Sequence, residues 1–507
     1  MKHSDSLFAL IKGLTKNEKG YFKRHALTHG KDESIYLRLF DSIEHQKEYD
    51  EKTLKKKFKG ETFLKQFSVS KNHLYHNILK CMELYRQNNS MDGQVRSLLN
   101  RADFLFEKAM YKECENILEK ANTLAKKYGM HYFLLEGLRV RRMIATRKFD
   151  FKKRKEIGAE EANTLDRMKN EKQIQNIYDK ITPYYYLSTK GKSEINAVRR
   201  LVHNPRLRSE SYAQSFIAKR IRLDCFIYYH VLTGNSDKTY EYAVKMGKLY
   251  LSDPPMIRYN INGYLNALNT IIYSCSALRK FDEMKYWIGQ LLDSKKYIFN
   301  RANASFLFWL NFHVLHYNHL TGDFDSAVRY CREYILKHLD IYKNDLSPRA
   351  LFLLYINISV SYFGTGNYSL SLTWLNKINN EVKIVTDPDA LCFERLFYLI
   401  VHFELKHYDL MPYLIKSTYR FLSKMERLQP FQKAWIDFLK QLLKKEFSQK
   451  QLNVLFIQFK RQLEHMHKQT LDAQEIQFFD YTSWLESKIE NRPFADVIKK
   501  KLIGIKA

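Results

Sequence analysis

The chain has 507 residues, only nine prolines and 17 glycines, 14% aromatic side chains, and a formal charge of +29 from 84 Lys plus Arg against 55 Asp plus Glu. That length accommodates several domains or one extended array, and scarce Pro and Gly with long 3.6-residue periodicity favours an all-α fold over an all-β one. The positive excess favours acidic partners, whether nucleic acid, anionic membrane or acidic protein, and is silent about fold. It is also segmental: Arg139–Arg222 holds about 22 basic against about 9 acidic side chains, while Arg301–Ile400 is near neutral. Six scattered cysteines without a Cys-x-x-Cys pair read as buried small hydrophobes in a reducing, cytoplasmic compartment. The N-terminus lacks a signal-peptide pattern, and the longest apolar runs, Ala304–Leu320 and Ala350–Phe363, are interrupted by Asn and His, so no membrane span is expected.

Residues 1–90 are expected to form a helical N-terminal domain. Ser6–Ala26 reads as helix with a capping-box restart at Thr15–Glu18, followed by helices over Ile35–His45 and Asp50–Phe58. The stretch Phe63–Arg86 predicts a short helix, a turn at Ser68–Ser70, and a long helix capped by Ser70. Phe63, Phe67, Val69 and Leu74 fall near the apolar positions of a helix-turn-helix, which this stretch resembles. Leu64, Ser68 and Asn77 depart from that family's small, glycine and apolar positions. The resemblance implies Lys71, Asn72, His73 and His76 on a base-reading helix and Lys55, Lys56, Lys57 and Lys59 at phosphates. A plain cap for the following array is the other reading, and the preferred one.

Residues 91–430 carry a repeat. Pairs are expected at Asn100–Ala109 with Tyr111–Tyr128, and at His131–Lys148 with Phe151–Asn170, Phe149 taking the aromatic site. Another is expected at Ile174–Leu187 with Glu194–Val202, turning at Gly191 with Ser193 in the aromatic place. Thr321–Ile335, TGDFDSAVRYCREYI, is the clearest unit: Gly322 turns the chain, Asp323 or Asp325 caps, and Phe324, Ala327, Val328 and Cys331 recur at helical spacing. Aligning Phe149, Ser193, Ser236, Phe281, Phe324, Tyr368 and Tyr408 gives steps of about 43–45 residues and a last step near 40. The pattern resembles the tetratricopeptide (TPR) repeat, lengthened beyond its roughly 34-residue unit. That resemblance implies an all-α, right-handed superhelical solenoid of TPR-like helix pairs with helical caps at both ends. Residues 431–507 are the expected C-terminal cap, with Phe478, Phe479, Tyr481, Trp484 and Leu485 inward and Lys499–Lys501 in water.

No catalytic motif, cofactor loop or metal set emerges. His313, His316 and His319 follow a three-residue spacing in which the first two share a helical face and the third rotates away, which reads as satisfied histidines. The expectation is a non-enzymatic scaffold binding a protein or peptide in its groove. The alternative is a nucleic-acid-binding regulator with an N-terminal reader and a TPR-like sensor. Arg139, Arg142, Lys153, Arg199, Arg200 and Arg220 are the candidate acidic-partner contacts in the repeats, with Tyr184, Tyr185 and Tyr186 as nearby aromatics.

Overall fold

A computed structural model describes residues 3–27, 31–186, 191–297, 304–382, 388–425, 427–443, 448–469 and 479–506. Among the described residues every regular element is helical. Two compact units emerge: Met1–Asn235 with Lys248–Ile261, and Ser236–Gly247 with Asn262–Ala507.

The first unit opens with α1 (His3–Gly13), α2 (Lys16–Leu27), α3 (Lys31–His45) and α4 (Glu51–Lys57). The break between α1 and α2 is the expected restart: the Thr15 N–H donates to the Glu18 carboxylate at 2.8 Å and the Glu18 N–H to the Thr15 hydroxyl at 3.3 Å. A short 3₁₀ turn, Thr62–Gln66, then runs straight into α5 (Phe67–Asn89). The turn expected at Ser68–Ser70 is therefore absent. Ser70 lies inside the helix with its hydroxyl turned back to the Phe63 and Gln66 carbonyls, so the residue read as a cap serves as a buried tie. Leu7, Ile11, Phe22, Phe40, Leu74 and Ile78 close this core.

Next come α6 (Met91–Glu107), α7 (Tyr111–Lys127), α8 (His131–Arg147) and α9 (Phe151–Tyr186). Each packs on its chain neighbour, and α6 also touches α8. One 36-residue helix replaces the two expected over Phe151–Leu187. Residues 171–173, Glu-Lys-Gln, are good helix formers, and Asn170 is anchored by donating to the Tyr212 carbonyl at 2.7 Å, so nothing ends the helix there. Ile157 joins the core of α6–α8, whereas Ile174, Ile177 and Ile181 pack with Ala218, Ile221 and Cys225. Those last three lie on α12 (Phe216–Leu232), after α10 (Lys192–Val202) and α11 (Pro205–Arg208); α13 (Ser236–Leu251) comes next, its residues Ser236–Gly247 counted with the second unit, and α14 (Pro254–Tyr259) belongs to the first.

The second unit holds α15 (Ile261–Ala277), α16 (Phe281–Asp293), α17 (Ala304–Thr321), α18 (Phe324–Tyr330), α19 (Leu339–Tyr342), α20 (Pro348–Gly364) and α21 (Tyr368–Glu381). It continues with α22 (Pro388–Glu404), α23 (Met411–Lys424), α24 (Pro430–Leu442), α25 (Gln449–Gln469), α26 (Tyr481–Glu490) and α27 (Phe494–Lys506). First helices of successive pairs pack on one another, α17 on α20, α20 on α22 and α22 on α24.

Nine turns among the described residues share one backbone form. Ala109, Gly129, Phe149, Gly234, Arg279, Gly322, Gly366, Lys406 and Asn491 all take positive φ. In each, the next residue's N–H reaches five residues back, as from Asp323 to the Asn318 carbonyl at 2.9 Å and from Asp150 to the Ala145 carbonyl at 2.9 Å. This is the Schellman close of a helix. The aromatic site lies two residues after the left-handed one, which corrects one register: Phe149 occupies the glycine position and Phe151 the aromatic one. Gly191, with φ −70°, is extended ahead of α10, so the expected turn there is not of this kind. Residues 187–190 and Phe478 lie outside the described residues.

The expected C-terminal cap is more than an end piece. Phe479, Tyr481, Trp484 and Leu485 are buried, and Phe494 reaches back to the earlier repeats. Tyr481 packs on Trp435 of α24, Phe479 on Phe397 of α22 and Phe363 of α20, and Phe494 on Phe363 and Phe324. Of the lysines expected in water, Lys499 and Lys500 are exposed, while Lys501 pairs with Glu486 at 2.8 Å.

Candidate functional site

The N-terminal candidates divide by burial. Lys71, one turn into α5, is 8% exposed: its ammonium donates to Glu51 at 2.5 Å and Tyr49 at 3.2 Å and lies over the Phe67 ring. Hydrogen bonds from Lys55 and Lys71 pull the Glu51 carboxyl down to about 2, so this cluster stays charged and locks α4 onto α5. Asn72, His73 and His76 are exposed, His73 with its ring against Tyr36, and Lys56, Lys57 and Lys59 reach solvent. Lys71 thus holds the helix pair together from inside, where the sequence placed it beside Asn72 at a base edge.

In the repeats, much of the positive charge is answered locally. Arg139 meets Asp103 at 3.5 Å, Arg142 meets Glu161 at 3.5 Å, and Lys148 and Lys153 both grip Glu115 at 2.7 and 2.6 Å. Arg220 pairs with Asp224, whose carboxyl is nonetheless raised to about 6 by burial. Arg222 is buried, donating to the Leu207 carbonyl at 2.6 Å. Arg199 donates to Tyr229, and Arg200 borders a cleft of about 600 Å³ with Lys180, Pro183, Tyr184 and Leu201. Beside it Tyr185 stacks on Tyr228 at 4.0 Å, so that tyrosine is packing, whereas Tyr186 projects into solvent.

The buried histidines behave as their spacing implies. His313 and His316 bond to Asn269 and Ser276 of α15, and His319 turns the other way to Ser361 of α20. Burial pushes them down to about 3, 4 and 3, respectively, so all three are neutral. Ser215, Glu171 and His131 also meet in the first unit: Ser215 donates to Glu171 Oε1 at 2.5 Å and His131 Nε2 lies 3.2 Å from that same oxygen, so the imidazole meets the carboxylate rather than the hydroxyl. Among the described residues no three His, Cys, Asp or Glu side chains are placed to hold a metal, and no helix is long and apolar enough to cross a membrane.

The sequence named Arg139 and Lys153 as candidate contacts but left out the exposed apolar side chains beside them, in two places. On α8, Tyr132, Glu136, Arg139 and Met143 form an i, i+4, i+7, i+11 stripe with Tyr132, Arg139 and Met143 exposed. At the α8–α9 turn, Phe149 and Phe151 are 77% and 68% exposed. The run RKFDFKKRK, residues 147–155, is the signal that marks the second. No protein-family model matches the chain, and no curated protein matches it.

Proposed function

We propose that the chain is a non-enzymatic, cytoplasmic helical-repeat scaffold, its pairs winding into a TPR-like solenoid whose first helices receive a protein or peptide segment. The observation that carries this reading is the path of residues 479–506, which run across α24, α22, α20 and α17 and fill that face with Tyr481, Phe479 and Phe494. A face that accepts an aromatic-bearing helical segment of its own chain has the chemistry to accept another. In the first unit the stripe Tyr132, Glu136, Arg139 and Met143 is the corresponding surface on α8, and it is left open.

The test is affinity capture with the intact chain from its native cytoplasm, alongside Tyr132→Ala/Met143→Asp. Protein partners retained by the native chain and lost from the variant support the reading. Nucleic acid that survives a high-salt wash, lost on Asn72→Ala/Lys56→Ala/Lys57→Ala in place of any protein partner, overturns it in favour of a nucleic-acid regulator.

A further inference from the structure

Among the described turns that share this backbone, the α8–α9 turn alone places an aromatic at the left-handed residue. Phe149 sits at the left-handed position with φ 55°, where a bulky side chain is penalised and Gly is at home. Burial offers no compensation, because both Phe149 and Phe151 stand in solvent without a ring partner among the described residues. Around them lie Arg147, Lys148, Lys152, Lys153, Arg154 and Lys155, with Asp150 the one acid in the run. Asp150 is occupied in capping α9, accepting from the Lys153 N–H at 3.0 Å. Lys148 and Lys153 are spent on Glu115, near the start of α7. Arg147, Lys152, Arg154 and Lys155 carry no ion pair among the described residues. The grip on Glu115 also holds this turn beside the α6–α7 turn, which adds exposed Met110 and, near the end of α6, Phe104.

We propose that this edge docks on an anionic lipid bilayer, with Phe149 and Phe151 entering the interface and the four unpaired cations meeting acidic headgroups. Two observations select a membrane over a polyanion. The rings project from the apex of a turn and have no hydrogen-bonding atom with which to read a base. On the neighbouring α6–α7 side, Met110 and Phe104 add exposed apolar surface to that of the two rings. Apolar wedges rimmed by Lys and Arg are the chemistry of interfacial binding, and none of it requires a membrane-spanning helix. The proposal is independent of the scaffold reading, since it uses the turn edge and not the open stripe of α8.

The experiment is sedimentation of the intact chain with vesicles of phosphatidylcholine alone or mixed with phosphatidylserine. Phe149→Gly/Phe151→Ser is the informative variant, because Gly suits the left-handed backbone and the altered protein should fold at least as well. Serine-lipid vesicles should bind the native chain, and the double variant should bind on the order of tenfold more weakly. Lys152→Glu/Arg154→Glu should weaken binding more than Lys416→Glu/Lys424→Glu, the same charge change at exposed sites on α23. Binding that ignores the two phenylalanines, or that falls equally with both charge pairs, reduces the effect to the net charge and overturns the proposal. Phenylalanine-dependent binding to single-stranded RNA, tighter than to vesicles, overturns it as well and assigns the edge to nucleic acid.

Discussion

The α8–α9 and α17–α18 turns are built alike and end in opposite environments. Both pass through a left-handed residue, Phe149 with φ 55° and Gly322 with φ 71°, and both place a phenylalanine two residues on. Phe324 is 2% exposed, because its ring lies on Gly364, stacks with His319 and meets Phe494 of the C-terminal segment. Nothing of that kind covers Phe151. Turn geometry is thus a local property of the five or six residues that close the helix, while the fate of the aromatic depends on whether a distant segment returns to it.

The contrast breaks most sharply under truncation of the two rings. Phe324→Ala should cost about 3–5 kcal/mol in denaturant unfolding, against no more than about 0.5 kcal/mol for Phe151→Ala. Gly322→Ala comes next: a Cβ there would lie 2.8 Å from the Ala495 carbonyl in addition to its unfavourable φ, and a loss of about 2–3 kcal/mol is expected. The open site at Gly366, where a Cβ meets nothing, should lose only about 1 kcal/mol on the same change.

Acid sharpens the comparison through His319. Unfolded histidine takes up a proton near pH 6.5, while burial holds the folded side chain down at about 3. Between those values the unfolded chain binds more protons, so stability is full above pH 6.5 and is lost as pH falls below it. From pH 7 to 5 this side chain should account for about 2 kcal/mol, so His319→Gln should lose about that much less stability over the same interval. Glu394 acts in the opposite sense: burial raises its carboxyl to about 7, so its share is present below pH 4.5 and fades as pH rises towards 7. Phe149→Gly runs the other way and should raise stability by about 1 kcal/mol by relieving the left-handed aromatic.

Several local signals in the sequence were legible to the residue: the Thr15–Glu18 capping box, the Gly322 turn and the Asp323 cap of α18 form where their side chains imply, whereas Ser70, read as a cap, lies inside α5. The register around Phe149 was misread because two phenylalanines flank Asp150 and only the backbone tells which one follows the left-handed residue. The fused α9 was missed because Asn170 looks like a helix end until Tyr212, 42 residues on, supplies its partner. Lys71 was placed at a surface for the same reason: Glu51 and Tyr49, which bury it, lie a full helix upstream. What the sequence withheld was pairing across distance, and the candidate surfaces depend on it.

The return of the C-terminal segment bears on how the protein is made. Phe324, Phe363 and Phe397 emerge from the ribosome long before Phe479 and Phe494, which finally cover them. Synthesis of roughly 170 further residues, at about 5–20 residues per second, therefore separates Phe324 from its last ring neighbour, Phe494. Throughout that interval the face is bare and open to chaperones. A chain interrupted before Phe479 lacks both Phe479 and Phe494, so the faces of Phe324, Phe363 and Phe397 that those rings cover stay open to solvent and to other chains.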